Sequence, residues 1–196
     1  MKNNIKFLIK KIQISSKFKS EYWAKATSNK NYLDIYNNLN SGDFRKRTFI
    51  RIIFYFIINI FIFNYKIFLT SEYRIYSKIC KKMQKIIDFD VMRHVFTLNI
   101  LNKYNLINKN ICIIGDGKIN CLSGIIQQNT YEKIYSINLP EIIIQEYLIL
   151  TKFNIIKKNL IKIVKSSKDL NCQKSKIFFI TADNLLFLKK KKLIYL

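Results

Sequence analysis

Residues 111–128 read ICIIGDGKINCLSGIIQQ, and their reading decides the fold. Four apolar residues, Ile111, Cys112, Ile113 and Ile114, predict a buried strand. Gly115-Asp116-Gly117 then breaks it, and from about Leu122 the spacing of Leu122, Ile125 and Ile126 predicts a helix. Strand, glycine turn and helix form the unit that lets backbone approach a nucleotide. Glycine removes the Cβ atoms that would block the approach, and the helix start offers unpaired N–H groups.

The next segment repeats the unit. YEKIYSINL, residues 131–139, has a strand-like centre at 134–137 and ends on Asn138. Pro140 opens EIIIQEYLILTKF, which has helical spacing; proline suits a first helical turn because its missing N–H would be unpaired there. The order over 111–153 is therefore β-α-β-α. About twenty residues after the glycine turn, Asn138 stands where a nucleotide fold places a ribose-binding side chain.

IIGDGKINCLSGII followed by INLPEIIIQEYLIL resembles class I S-adenosylmethionine-dependent methyltransferases. More narrowly, it is similar to bacterial sugar O-methyltransferases, whose second strand runs into a D-L-P-E-type stretch. The likeness covers roughly residues 90–196. It implies an α/β chain: a helical N-terminal region over 1–109, then an incomplete Rossmann-like methyltransferase sheet over 110–196 that binds S-adenosylmethionine. Gly115, Asp116 and Gly117 would lie beneath the methionine part of the cofactor, Asn138 would bond the ribose hydroxyls, and Asp183 would approach the adenine amino group. Asp183 can equally be an ordinary loop carboxylate. Three positions depart from the family pattern. Ile113 replaces an acidic residue, Ile119 replaces the third glycine, and Asn138 replaces a carboxylate. The acceptor would be a sugar or glycan precursor in the cytoplasm, and no catalytic base can be named.

Further strands are expected at 159–164 and 177–180, with a polar loop at 165–176 and a short helical turn at 185–188. LIYL at the end reads as the start of the fourth strand of the sheet. A complete member of the family has seven strands and this chain supplies about four, so the reading is of a C-terminally truncated domain or one completed by a partner.

The formal net charge is +23 and 49% of residues are hydrophobic. The hydrophobic content supports a real core. The charge suits a polyanion, an anionic membrane surface among them. Ile, Lys and Asn make up nearly half the chain, however, so compositional drift explains the charge equally well. Lys far outnumbers Arg, which weighs against a nucleic-acid reader, since such proteins rely on bidentate Arg contacts. An RNA methyltransferase relative rests on charge alone. Four cysteines and one histidine, His94, show no clustered ligand spacing, so no metal site is expected. His94 has a structural reading and a substrate-facing one. Trp23 could stack on a sugar or adenine, or anchor a core.

The N-terminal MKNNIKFLIKKIQI reads as a short amphipathic helix, because lysines interrupt any signal-peptide core. Residues 37–43, NNLNSGD, read as a loop, and Arg45-Lys46-Arg47 follow. FIRIIFYFIINIFIFNYKIFL, 49–69, is the most apolar stretch and is apolar all round a helix. It can be a buried core helix, a helix lying on a membrane face, or a span. Residues 71–88 and 89–101 read as helices, with Ser71 and Asp90 as candidate caps. A non-enzymatic scaffold, carrying a degenerate nucleotide-binding half-fold and sitting on an anionic membrane, is the competing functional reading.

Overall fold

A computed structural model describes residues 48–107, 109–116, 119–189 and the backbone of 194–195. The expected N-terminal helix, Trp23, the 37–43 loop, Arg45–Arg47, Gly117 and the lysines at 190–192 lie outside the described residues.

The chain is mixed α/β with a small parallel sheet. Helices α1 (Phe49–Phe63), α2 (Ser71–Lys82) and α3 (Phe89–Lys103) precede β1 (Ile111–Ile114). Then come α4 (Asn120–Gln128), β2 (Ile134–Asn138), α5 (Pro140–Lys152), β3 (Ile161–Ile163), β4 (Ile177–Thr181) and β5 (Ile194–Tyr195). The five strands lie in the order β3-β4-β2-β1-β5 and every pairing is parallel. The strand expected at 159–164 is present as the shorter β3 at the edge beside β4, and the C-terminal strand pairs Ile194 and Tyr195 with Ile111 and Cys112. From β1 the chain steps out to β2 and on to β3 at the far edge, comes back to place β4 between them, then returns to lay β5 on the other side of β1.

Strand alternation divides the sheet into two faces. Ile111, Ile113, Ile134, Ile177 and Phe179 point to one face and join a core with Tyr76 and Ile79 of α2, Met92, Val95 and Leu98 of α3, Leu122 and Ile125 of α4, and Ile143 and Leu150 of α5. Cys112, Tyr135, Ile137, Phe178 and Ile180 point to the other, where Leu170 and Leu188 cover them. Those two leucines belong to short 3-10 turns, Ser167–Asn171 and Ala182–Leu188. Among the described residues, the α-helices in contact with the sheet core therefore lie on one side of it.

Helix ends follow from local chemistry. Thr70, not Ser71, caps α2 by accepting from the Tyr73 N–H at 3.2 Å. Asp88, not Asp90, caps α3 by accepting from the Val91 N–H at 3.1 Å. In each case the extended residue before the first turn holds the geometry and its neighbour is already helical. Helix α4 starts two residues earlier than its apolar spacing suggests. At the far ends the chain uses asparagine where glycine is usual. Asn105, Asn129 and Asn154 follow α3, α4 and α5 with φ of 54°, 56° and 48°. The Leu106 N–H then reaches the Leu101 carbonyl, and the Ile155 N–H the Leu150 carbonyl, both at 2.9 Å. These are the six-to-one closures that terminate a helix through a left-handed residue.

The 49–69 stretch is not one helix. It breaks at Asn64 (φ 67°), and Tyr65–Leu69 continue as a 3-10 turn. Its apolar residues do not form a buried core helix either, since most of them are exposed. Phe56 and Phe63 hold α1 to the body through edge and tilted contacts with Phe68 and Phe89, ring centroids 5.1 and 5.4 Å apart. Among the described residues no helix is long and apolar enough to cross a membrane.

Candidate functional site

A cleft of about 480 Å³ opens at the carboxyl end of β1. Asp90, Arg93, His94 and Thr97 of α3 form one wall; Ile114, Gly115 and Asp116 form the floor; Asn120 and Cys121 of α4 close it. The strand order reverses at β1, and ligands of parallel α/β sheets bind at such a reversal, outside the carboxyl ends of the strands.

Gly115 has φ +77°, and a Cβ built there would meet nothing within 4 Å. The position needs glycine for its backbone angle, and it leaves open space beside the cleft. Asp116 turns inward. Its Oδ2 accepts from the Leu122 N–H at 2.7 Å, which caps the start of α4. Burial raises its pKa to about 6, against the lowering effect of the Leu122 and Asn120 backbone bonds and of the nearby Lys85 charge. The start of α4 is unusual in a second way. Ile119 is fully buried in the left-handed region (φ 55°), which a β-branched residue adopts only under strain.

Asn120 is the hub of the floor. Its side-chain oxygen accepts from the Lys85 Nζ at 2.5 Å and its amide donates to Asp90 Oδ2 at 3.0 Å. Its carbonyl accepts from the Tyr76 hydroxyl at 2.9 Å. Burial lowers the pKa of Lys85, while the charges of Asp88, Asp116 and Asp90 work in the other direction. His94 is also lowered, chiefly by burial and against Asp90, so its ring is neutral at pH 7. Arg93 pairs with Asp90 at 3.0 Å on the outer lip.

Asn138 ends β2, the next strand over. Its amide donates to Glu146 Oε1 at 2.9 Å and its oxygen accepts from the Leu139 N–H at 3.1 Å. Glu146 of α5 is 0% exposed and also accepts from Ser136 Oγ at 2.9 Å. Burial and the charge of Asp116 hold the Glu146 carboxyl well above the usual range, despite both hydrogen bonds. Asp183 lies in the 3-10 turn after β4, a further strand from β1 and half-buried. Adjacent strands are roughly 4.8 Å apart, so Asp183 stands about 10 Å across the sheet from the glycine turn. The described fold thus brings Gly115 and Asp116 into the cleft, with Asn138 and Asp183 along the same carboxyl edge; Gly117 is outside the described residues.

Three residues in or beneath the site carry no sequence signal strong enough to find them. Lys85 is one lysine among many. Asn120 looks like a turn residue. Glu146 offers a faint one, a carboxylate embedded in IIIQEYLI. Asp88, Asp90, Asp116 and Glu146 are four of the chain's 12 acidic residues, grouped in a protein of net charge +23. A second, smaller cavity of about 100 Å³ lies between α1 and the end of α2, beside Asn59 and Cys80. Among the described residues no group of three or more His, Cys, Asp or Glu could hold a metal ion. No family model matches this chain, and no curated protein or solved structure matches it either.

Proposed function

We propose that the cleft binds S-adenosylmethionine and that the chain is a sugar O-methyltransferase of Rossmann-like fold. One observation carries the reading: Asp90 and Asp116 are the two carboxylates lining the cleft beside the glycine turn, and the start of α4 is already capped by Asp116. A nucleotide phosphate would need that helix start free and would meet carboxylates. A cationic ligand without phosphates meets neither obstacle and gains from Asp90 and Asp116. The sheet reversal at β1 and the positive φ of Gly115 support the same site.

Bound there, S-adenosylmethionine supplies an electrophilic methyl group on a sulfonium. Asp90 and Asp116 would offset the sulfonium and ammonium charges, and the apolar Ile113 and Ile114 would border the donor. His94 would take the proton of an acceptor sugar hydroxyl as the new C–O bond forms, since its neutral ring faces the cleft.

A second reading is a non-enzymatic scaffold with a degenerate half-fold. It is favoured by Asn138, whose amide is engaged with buried Glu146 where a ribose carboxylate is expected. Calorimetric titration separates the two. Micromolar binding of S-adenosylmethionine or S-adenosylhomocysteine, with no binding of ATP or NAD, supports the first. No binding by a folded sample overturns it and leaves the scaffold.

A further inference from the structure

Helix α1 is built inside out. Its buried residue is polar: Asn59 is 1% exposed and donates to the Ile87 carbonyl at 3.1 Å. Its outer side is apolar. Phe49, Ile50 and Phe61 are 77%, 80% and 85% exposed, and Phe54, Ile57 and Ile62 are exposed between them. Tyr65 and Leu69 extend the patch past the helix end. Scattered exposed apolar residues are ordinary, but a contiguous surface of this kind marks a place where water is displaced.

The charges around it choose the partner. No Asp or Glu occurs from residue 44 to residue 71, whereas Arg45, Lys46, Arg47, Arg51 and Lys66 do. Arg51 and Lys66 are exposed. Two copies meeting through this face would bring like charges together. An anionic lipid surface accepts both the apolar side chains and the cations. At 1.5 Å per residue the 15-residue helix is about 22 Å long, short of the roughly 30 Å hydrocarbon core.

We propose that α1 lies in the headgroup layer of an anionic phospholipid bilayer, with Phe49, Phe54 and Phe61 inserted and Arg51 and Lys66 at the phosphates. This rests on α1 alone and stands whether or not the cleft binds a cofactor.

Flotation of the full chain with phosphatidylcholine vesicles, and with vesicles containing about 30% phosphatidylglycerol, tests it. The wild type is expected to partition at least about tenfold better into the anionic vesicles, and less well at about 0.5 M NaCl than at about 0.1 M. The double variant Phe54→Glu/Phe61→Glu should lose at least about tenfold in partitioning while its melting temperature stays put, because both side chains face outward. If that variant fails to fold, Phe61→Glu alone serves. A Phe61→Trp variant should show blue-shifted emission, quenched by brominated lipid. Wild type that stays with the aqueous fraction, or variants that float as well as wild type, would overturn the proposal. So would a stable dimer in sedimentation equilibrium that Phe54→Glu/Phe61→Glu dissociates, which would assign the face to a second copy.

Discussion

Replacing Asp116 by Asn is expected to stabilise the protein at pH 7 and to do little at pH 4. In the folded chain burial raises the carboxyl from its ordinary 3.8 to about 6. At about 1.4 kcal/mol for each tenfold change in proton affinity, that rise corresponds to roughly 3 kcal/mol of cost when the group is ionised. The sign follows from proton uptake. Between about pH 4 and pH 6 the native state binds the proton more tightly than the unfolded chain, so wild-type stability falls as pH rises through that window. Above about pH 6.5 the full cost is present. The amide introduced by Asp116→Asn would keep an oxygen for the Leu122 N–H, and the raised carboxyl already includes the bonds its ionised form makes to Leu122 and Asn120. The net gain at pH 7 is therefore about 2–3 kcal/mol, vanishing by about pH 4. Urea unfolding followed by circular dichroism, on both proteins at half-unit steps from pH 4 to pH 8, gives the difference curve. Glu146 feels the charge of Asp116, so its titration shifts with the substitution; carrying Glu146→Gln in both proteins isolates the Asp116 contribution. A difference that stays flat across pH 4–7 would refute the desolvated position assigned to this carboxylate.

Three further outcomes are expected. Gly124→Ala should destabilise by about 1–2 kcal/mol in thermal melts, because a Cβ there collides with the Tyr76 ring, whose hydroxyl is tied to Asn120; overpacking outweighs the gain in helix propensity, and adding Tyr76→Phe should recover part of the loss. Asn138→Asp would set a second carboxylate against Glu146, 2.9 Å from the present amide, and should cost about 1–3 kcal/mol at pH 7 by urea unfolding. Adding Glu146→Gln should restore stability, and on the methyltransferase reading the double variant should bind S-adenosylmethionine more tightly than wild type in calorimetry. Asn129→Ala should lose about 1 kcal/mol in thermal melts, whereas Asn129→Gly should lose nothing, since only the latter accepts φ 56° freely.

Much of the sheet was legible because its strands are largely buried on both faces and so appear as short apolar runs, ICII, IYSIN and IFFIT, each followed by a break in the apolar pattern. Pro140 marked the start of α5 for a reason local to one residue. Where two capping residues stood close together, as at Thr70 and Ser71 or Asp88 and Asp90, the choice depended on backbone angles that composition does not carry. Helix α1 could not be oriented from sequence. Asn59 is drawn inward by the Ile87 carbonyl, 28 residues away, and a stretch apolar all round gives no face to choose. The candidate site divides in the same way. Gly115, Asp116 and Asn138 could be put at strand ends by counting, but Glu146 beside Asn138 depends on α5 packing on β2, and Lys85 beside Asn120 on the turn after α2 meeting the start of α4.

The unequal cover of the sheet has a consequence for how the molecule opens. Among the described residues, one face lies beneath α-helices and the other is covered by 3-10 turns through Leu170 and Leu188. Turns of that kind have poorer hydrogen-bond geometry, so brief local openings should begin there and leave the helical side intact. The free thiols are placed to report it. Cys172 is partly exposed, Cys112 lies under the thin cover, and Cys80 and Cys121 lie on the helical side. A thiol reagent added to the native protein should therefore reach Cys172 first and Cys112 before Cys80, with Cys121 reached separately through the cleft it lines, turning the asymmetry of the sheet into an ordered sequence of labelling rates.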